Sequence, residues 1–132
     1  MRSLDTNVLV RYLAADDPRQ CAIAERVIEE CLRNDEPLYL SAIVLCELVW
    51  VLSRLYHQTK PQIAGHLEQV LRTGQFSIEH DALVRRALRA WRAGKGDFSD
   101  HLIGEISRQA GCRDTVTFDR ALRGVAGFSL LA

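Results

Sequence analysis

The run Ala42-Ile43-Val44-Leu45-Cys46-Glu47-Leu48-Val49-Trp50-Val51-Leu52 contains one polar side chain, that of Glu47. Ser41 precedes it as a helix N-cap, and the helix it opens extends to about Tyr56. A helix apolar on every side is either fully buried or covered by a partner. A carboxylate among such neighbours is costly unless a proton, a cation or hydrogen bonds compensate it. The run therefore calls for a core to pack against and a counterpart for Glu47. Trp50 is read as core, with a partner contact as the alternative.

Around this helix the chain alternates short strand-like and longer helical segments. Met1 to Asp5 reads as a strand ending at Asp5, and Val8 to Leu13 as a helical turn or two. Asp16-Asp17-Pro18 starts a helix to about Arg33, with Ala22, Ile23, Val27, Ile28, Cys31 and Leu32 on one face. Leu38-Tyr39-Leu40 is a brief strand. Thr59-Lys60-Pro61 opens another helix with Ile63, Leu67, Val70 and Leu71 inward, stopped by Gly74. Phe76-Ser77-Ile78 is strand-like, and a helix runs from Ala82 to about Ala93. Asp97 to Ala110 is helical with Leu102, Ile103 and Ile106 on one face and Gly111 at its end. Val116 to Phe118 is a strand, Arg120 to Leu122 a short helix, and Phe128 to Leu131 a last strand. This alternation predicts a three-layer α/β/α domain around a short, mostly parallel central sheet. At 132 residues, with no linker or repeat, a single domain over 1–132 is expected.

The acids fall where such a sheet presents ligands, at the carboxyl ends of strands. Asp5 follows the first strand, Asp119 follows Thr115-Val116-Thr117-Phe118, and Asp97 and Asp100 open a helix. With Glu47 they form a candidate carboxylate cluster for a hard divalent cation. Asp97 has two readings, as a metal contact sharing a helix face with Asp100 or as an N-cap after Gly96. Thr6, Asn7, Ser41 and Thr117 are candidates to hydrogen-bond the acids, or serve as cap and turn residues.

Seventeen bases balance seventeen acids, which gives no obvious footprint for a polyanion. Setting aside the five candidate ligands leaves twelve acids against seventeen bases, a net of +5 for the remainder. Fifteen of the bases are Arg, whose planar fork suits phosphate. Arg85, Arg89 and Arg92, with Arg86 and Lys95, make a row that is a solvated helix face or a phosphate contact. Cys21, Cys31, Cys46 and Cys112 show no zinc-like spacing and are read as structural thiols. His101 beside Asp100 is read as non-catalytic, because adjacent side chains on a helix diverge. No signal peptide or membrane-length apolar stretch is visible, so a cytoplasmic location with no membrane association is expected.

Taken together these residues resemble a known family. Asp5-Thr6-Asn7-Val8-Leu9-Val10 is similar to the opening of PIN-domain proteins, and Ser41-x-x-Val44-x-x-Glu47 to their second acidic motif. Asp97-Phe98-Ser99-Asp100-His101-Leu102-Ile103 resembles the third and Thr117-Phe118-Asp119-Arg120 the fourth. The four occur in the family's order across nearly the whole chain, and the length resembles that of VapC-type toxins. The resemblance implies a Mg²⁺- or Mn²⁺-dependent endoribonuclease, usually a homodimer, held silent by a cognate antitoxin and acting on RNA. It implies Asp5 and Asp100 nearest the metal, with Glu47 and Asp119 completing the site. Two other readings stay open. One is a haloacid-dehalogenase-like phosphotransfer enzyme, although Asn7 stands where that chemistry wants a second Asp. The other is a non-catalytic PIN-like scaffold for RNA or protein.

Overall fold

A computed structural model describes residues 1–14 and 16–132. The chain divides into two units, Met1–Glu79 and His80–Ala132.

The first unit holds strands β1 (Arg2–Ser3), β2 (Leu38–Leu40) and β3 (Phe76–Ile78), and helices α1 (Thr6–Ala14), α2 (Pro18–Arg33), α3 (Ala42–Arg54) and α4 (Lys60–Arg72). The strands lie in the order β1-β2-β3, and both pairings are parallel, with Arg2 opposite Leu38 and Leu38 opposite Phe76. Parallel neighbours need a crossover between them, and α1–α2 and α3–α4 supply the two crossovers. Side-chain caps set the helix starts. The Asp17 carboxylate accepts from the Arg19 and Gln20 N–H groups, with Pro18 at the first helical position. Thr59 and Gln62 form a reciprocal capping box before α4. Leu9, Ile28, Leu38, Leu40, Leu48 and Leu67 are wholly excluded from water. Burying each such side chain contributes about 1.5–3 kcal/mol.

The second unit holds α5 (Asp81–Ala93), α6 (Phe98–Gln109), β4 (Thr115–Thr117), a 3-10 turn over Arg120–Leu122 and β5 (Phe128–Leu130). β4 and β5 pair in parallel, Thr115 opposite Phe128. Leu83, Val84, Ala87, Leu88 and Trp91 repeat at helical spacing and form the buried face of α5. Where α5 and α6 pack, the Trp91 and Phe98 rings meet edge to face, with centroids 5.9 Å apart.

Several sequence expectations need correction. Ile103 is exposed (51%), so Phe98, His101 and Leu102 form the buried face of α6. On α2 the buried residues are Cys21, Ala24, Ile28 and Cys31, while Ile23 is exposed. On α4 Ala64 joins Ile63, Leu67 and Val70 inside, and Leu71 is only half-buried. On α3 the buried stripe is Ala42, Val44, Leu45, Leu48, Val49 and Leu52. Trp50 (58% exposed) and Ile43 (71%) stand on the opposite side, so the core reading of Trp50 does not hold. Among the described residues no helix is long and apolar enough to cross a membrane.

Candidate active site

The candidate acids are distributed over both units. In the first, β1 stops at Ser3, and α1 starts so soon afterwards that the Asp5 carbonyl accepts from the Val8 and Leu9 N–H groups. This sharp strand-to-helix turn leaves the Asp5 side chain exposed and Thr6 buried. The Thr6 hydroxyl donates to Glu47 Oε1 at 3.0 Å, joining the start of α1 to the middle of α3. Glu47 itself is exposed and shares a stripe with Ile43 and Trp50 at i−4 and i+3. Its apolar sequence neighbours mostly point elsewhere, so burial is not what Glu47 must overcome.

Among the described residues Ser41 is a cap and no partner of an acid, its hydroxyl accepting from the Val44 N–H at 3.2 Å. Glu79, just past β3, shares the same helix end, its carboxylate accepting from the Ala42 N–H at 2.9 Å. Sequence reasoning missed Glu79, although its place after a strand matches the rule that singled out Asp5 and Asp119. Asn7 is exposed and helps line a cavity of about 430 Å³ with Arg2, Val8, Arg11 and Ile23. Asp5 and Glu47 do not line that cavity.

In the second unit Asp97 is the N-cap residue of α6, in extended conformation, and its backbone N–H donates to Asp100 Oδ2 at 2.9 Å. The backbone of Asp97 thus occupies the N-cap position of α6. Gly96 makes room for this turn at φ +88°, and a Cβ there would stand 2.6 Å from Leu122 Cδ2. Buried His101 bonds through Nε2–H to the Lys95 carbonyl oxygen at 2.7 Å, a structural role. Asp119 is exposed, and its Oδ1 accepts from the Ala121 N–H at 2.9 Å. Thr117 Oγ1 accepts from the backbone N–H of Asp119 at 3.0 Å and so fixes the turn without bonding the carboxylate.

The other residues singled out have plainer roles. Arg85 pairs with Asp81 at 2.6 Å and Arg86 with Glu105 at 3.0 Å, as on a solvated helix face. All four cysteines are free thiols. The Cys21 thiol donates to the Arg11 carbonyl oxygen, and burial pushes the Cys46 thiol above its ordinary range.

Each candidate acid offers carboxylate oxygen, the donor that a hard divalent cation prefers. Among the described residues none of Asp5, Glu47, Asp97, Asp100 and Asp119 is ion-paired with a Lys, Arg or His. In Glu47, Asp100 and Asp119 the hydrogen bonds described engage one carboxylate oxygen each. Among the described residues, however, no three His, Cys, Asp or Glu side chains form a group that could hold a metal ion.

The PIN domain model matches residues 3–128. The chain belongs to the PIN domain family, and its fold is the three-layer α/β/α class that the alternation of strands and helices predicts. Within that family it is similar to a VapC ribonuclease of Aquifex aeolicus (strain VF5). The two are 28% identical over 123 residues, covering 93% of this chain and 90% of that protein.

Proposed function

We propose that the chain is a metal-dependent endoribonuclease and the toxin of a toxin–antitoxin pair. One observation carries the reading: the family match spans every candidate acid, in a chain similar over nearly its full length to a VapC ribonuclease. Family membership also removes the ground for a haloacid-dehalogenase-like enzyme.

In this reading Asp5, Glu47, Asp100 and Asp119 would hold Mg²⁺ or Mn²⁺, with Asp97 either a further contact or the N-cap of α6 alone. The ion, when bound, supplies an activated water and neutralises developing phosphoryl charge. The chain's own residues do the positioning. Thr6 orients Glu47 through its 3.0 Å bond, and the Asp97 N–H aims Asp100. Thr117 sets the turn that presents Asp119. The substrate is RNA, the protein works in the cytoplasm as a homodimer, and a cognate antitoxin silences it. The exposed Ile43–Trp50 stripe flanking Glu47 offers apolar surface for such a partner.

Purified protein should cleave mixed RNA with Mn²⁺ and not with EDTA, and Asp5→Asn and Asp100→Asn should each lower the rate by orders of magnitude with the fold intact. Mn²⁺ at a hundredfold excess over its dissociation constant should add about 2.7 kcal/mol of stability. Full cleavage by Asp5→Asn would refute the mechanism. RNA binding without cleavage under any metal would favour a non-catalytic scaffold.

A further inference from the structure

Phe118 is the most exposed large apolar side chain described in the protein, at 74%, and it directly precedes Asp119. It continues the line of β4, where successive side chains alternate in direction, and Val116 two residues earlier is likewise exposed (59%). Two large apolar groups presented to water, one on β4 and one just past its end, call for an occupant. The surrounding charge says which kind. Arg120 and Arg123 are exposed on the turn that follows, and among the described residues neither forms an ion pair. From residue 80 to 132 nine Lys and Arg stand against six Asp and Glu, three of which are the candidate ligands Asp97, Asp100 and Asp119. An exposed aromatic ring followed by unpaired guanidiniums suits an unstacked base with phosphates on either side.

We propose that Phe118 is a stacking platform for a base of single-stranded RNA and that Arg120 and Arg123 hold the adjoining phosphates. The proposal rests on the ribonuclease reading and deepens it: Phe118 is a positioning residue that places a nucleotide at Asp119. The Asp119 Oδ1 bond to the Ala121 N–H and the Thr117 bond to the Asp119 N–H brace the turn between the ring and the arginines. The platform is thus held at a fixed offset from the candidate catalytic carboxylate. Stacking needs a π-face and no particular base, so the platform predicts positional preference for an unpaired nucleotide over sequence preference.

The test is binding of a fluorescent single-stranded RNA 12-mer of mixed sequence, followed by anisotropy in EDTA so that no cleavage intervenes. Phe118→Ala should weaken binding about 5- to 150-fold. Phe118→Trp and Phe118→Tyr should restore it, and Phe118→Leu, equally apolar but without a π-face, should not. The Arg120→Ala/Arg123→Ala double variant should reduce the slope of log affinity against log salt by about 1.4. Because Phe118 is exposed, the melting temperatures of its variants should match the wild type. Wild-type affinity in Phe118→Ala or Phe118→Leu overturns the platform while leaving a protein that binds and cleaves RNA. Loss of self-association in Phe118→Ala with RNA affinity unchanged assigns the face to a protein contact and likewise overturns it. A wild-type protein that binds no RNA in EDTA overturns the platform, and cleavage of mixed RNA by that same protein with Mn²⁺ leaves the ribonuclease reading standing.

Discussion

The hydrogen bond from Thr6 to Glu47 makes a measurable claim. Thr6 is 5% exposed, and its hydroxyl reaches Glu47 Oε1 at 3.0 Å. A bond to a charged acceptor contributes about 1.5–3 kcal/mol when both partners are shielded. Glu47 is exposed and regains water when the bond is lost, which brings the expected value down to about 1 kcal/mol. Thr6→Val alone does not measure it, because the new methyl gains burial as the bond disappears. A double-mutant cycle with Glu47→Ala removes that confusion, since an alanine methyl offers no acceptor to either side chain. Urea midpoints for the four proteins at pH 7 should give a coupling of about 1 kcal/mol. A coupling below about 0.3 kcal/mol, the usual error of additivity, would show that the bond does not hold Glu47. If Glu47 works in catalysis, Thr6→Val should also slow cleavage under conditions where the fold is fully populated.

Three further outcomes follow from the geometry. Asp97→Asn should change stability by less than about 0.5 kcal/mol, because Asn caps as well as Asp, and should impair cleavage far less than Asp100→Asn in a single-turnover assay. Gly96→Ala should cost about 1–3 kcal/mol in thermal melts, because φ +88° and the 2.6 Å approach to Leu122 both resist a Cβ. Burial lowers the His66 imidazole below its ordinary 6.5, so the unfolded chain takes up a proton more readily than the folded one. The His66 contribution is therefore intact above pH 6.5 and is lost as pH falls through the lowered value. Urea midpoints between pH 5 and 8 should show this decline in the wild type and a flatter profile in His66→Gln.

Much of the fold was legible because its punctuation is local. Leu38–Leu40, Phe76–Ile78 and Arg120–Leu122 lie where the sequence placed them, between Pro37, Ser41, Gly74, His80 and Asp119. Asp17-Pro18 and Thr59-x-x-Gln62 opened helices for the capping reasons the sequence displays. The orientation of the apolar helices was less legible. A run such as Ile43 to Leu52 is apolar at every phase, so composition cannot say which third of the helix faces out. Packing chose the side carrying Ile43, Glu47 and Trp50. The same ambiguity misplaced Ile103. At the site the acids were readable as motifs, but the partners of the short polar residues were not. Thr6, Ser41 and Thr117 look alike in sequence, yet one bonds a carboxylate, one caps a helix and one fixes a turn.

The parallel order β1-β2-β3 has a consequence in time. Arg2 pairs with Leu38, and Leu38 with Phe76, so no strand of this sheet has a partner close in sequence. During synthesis at about 5–20 residues per second, β1 waits about 2–7 s for the residues that will hydrogen-bond to it. Helices form within about a microsecond. The segments of α1 and α2 therefore sample helix repeatedly while the apolar face of α2, Cys21 to Cys31, has no sheet to cover it. Loop closure over some 36 residues, and then again over some 38, sets the pace of folding more than any single contact does.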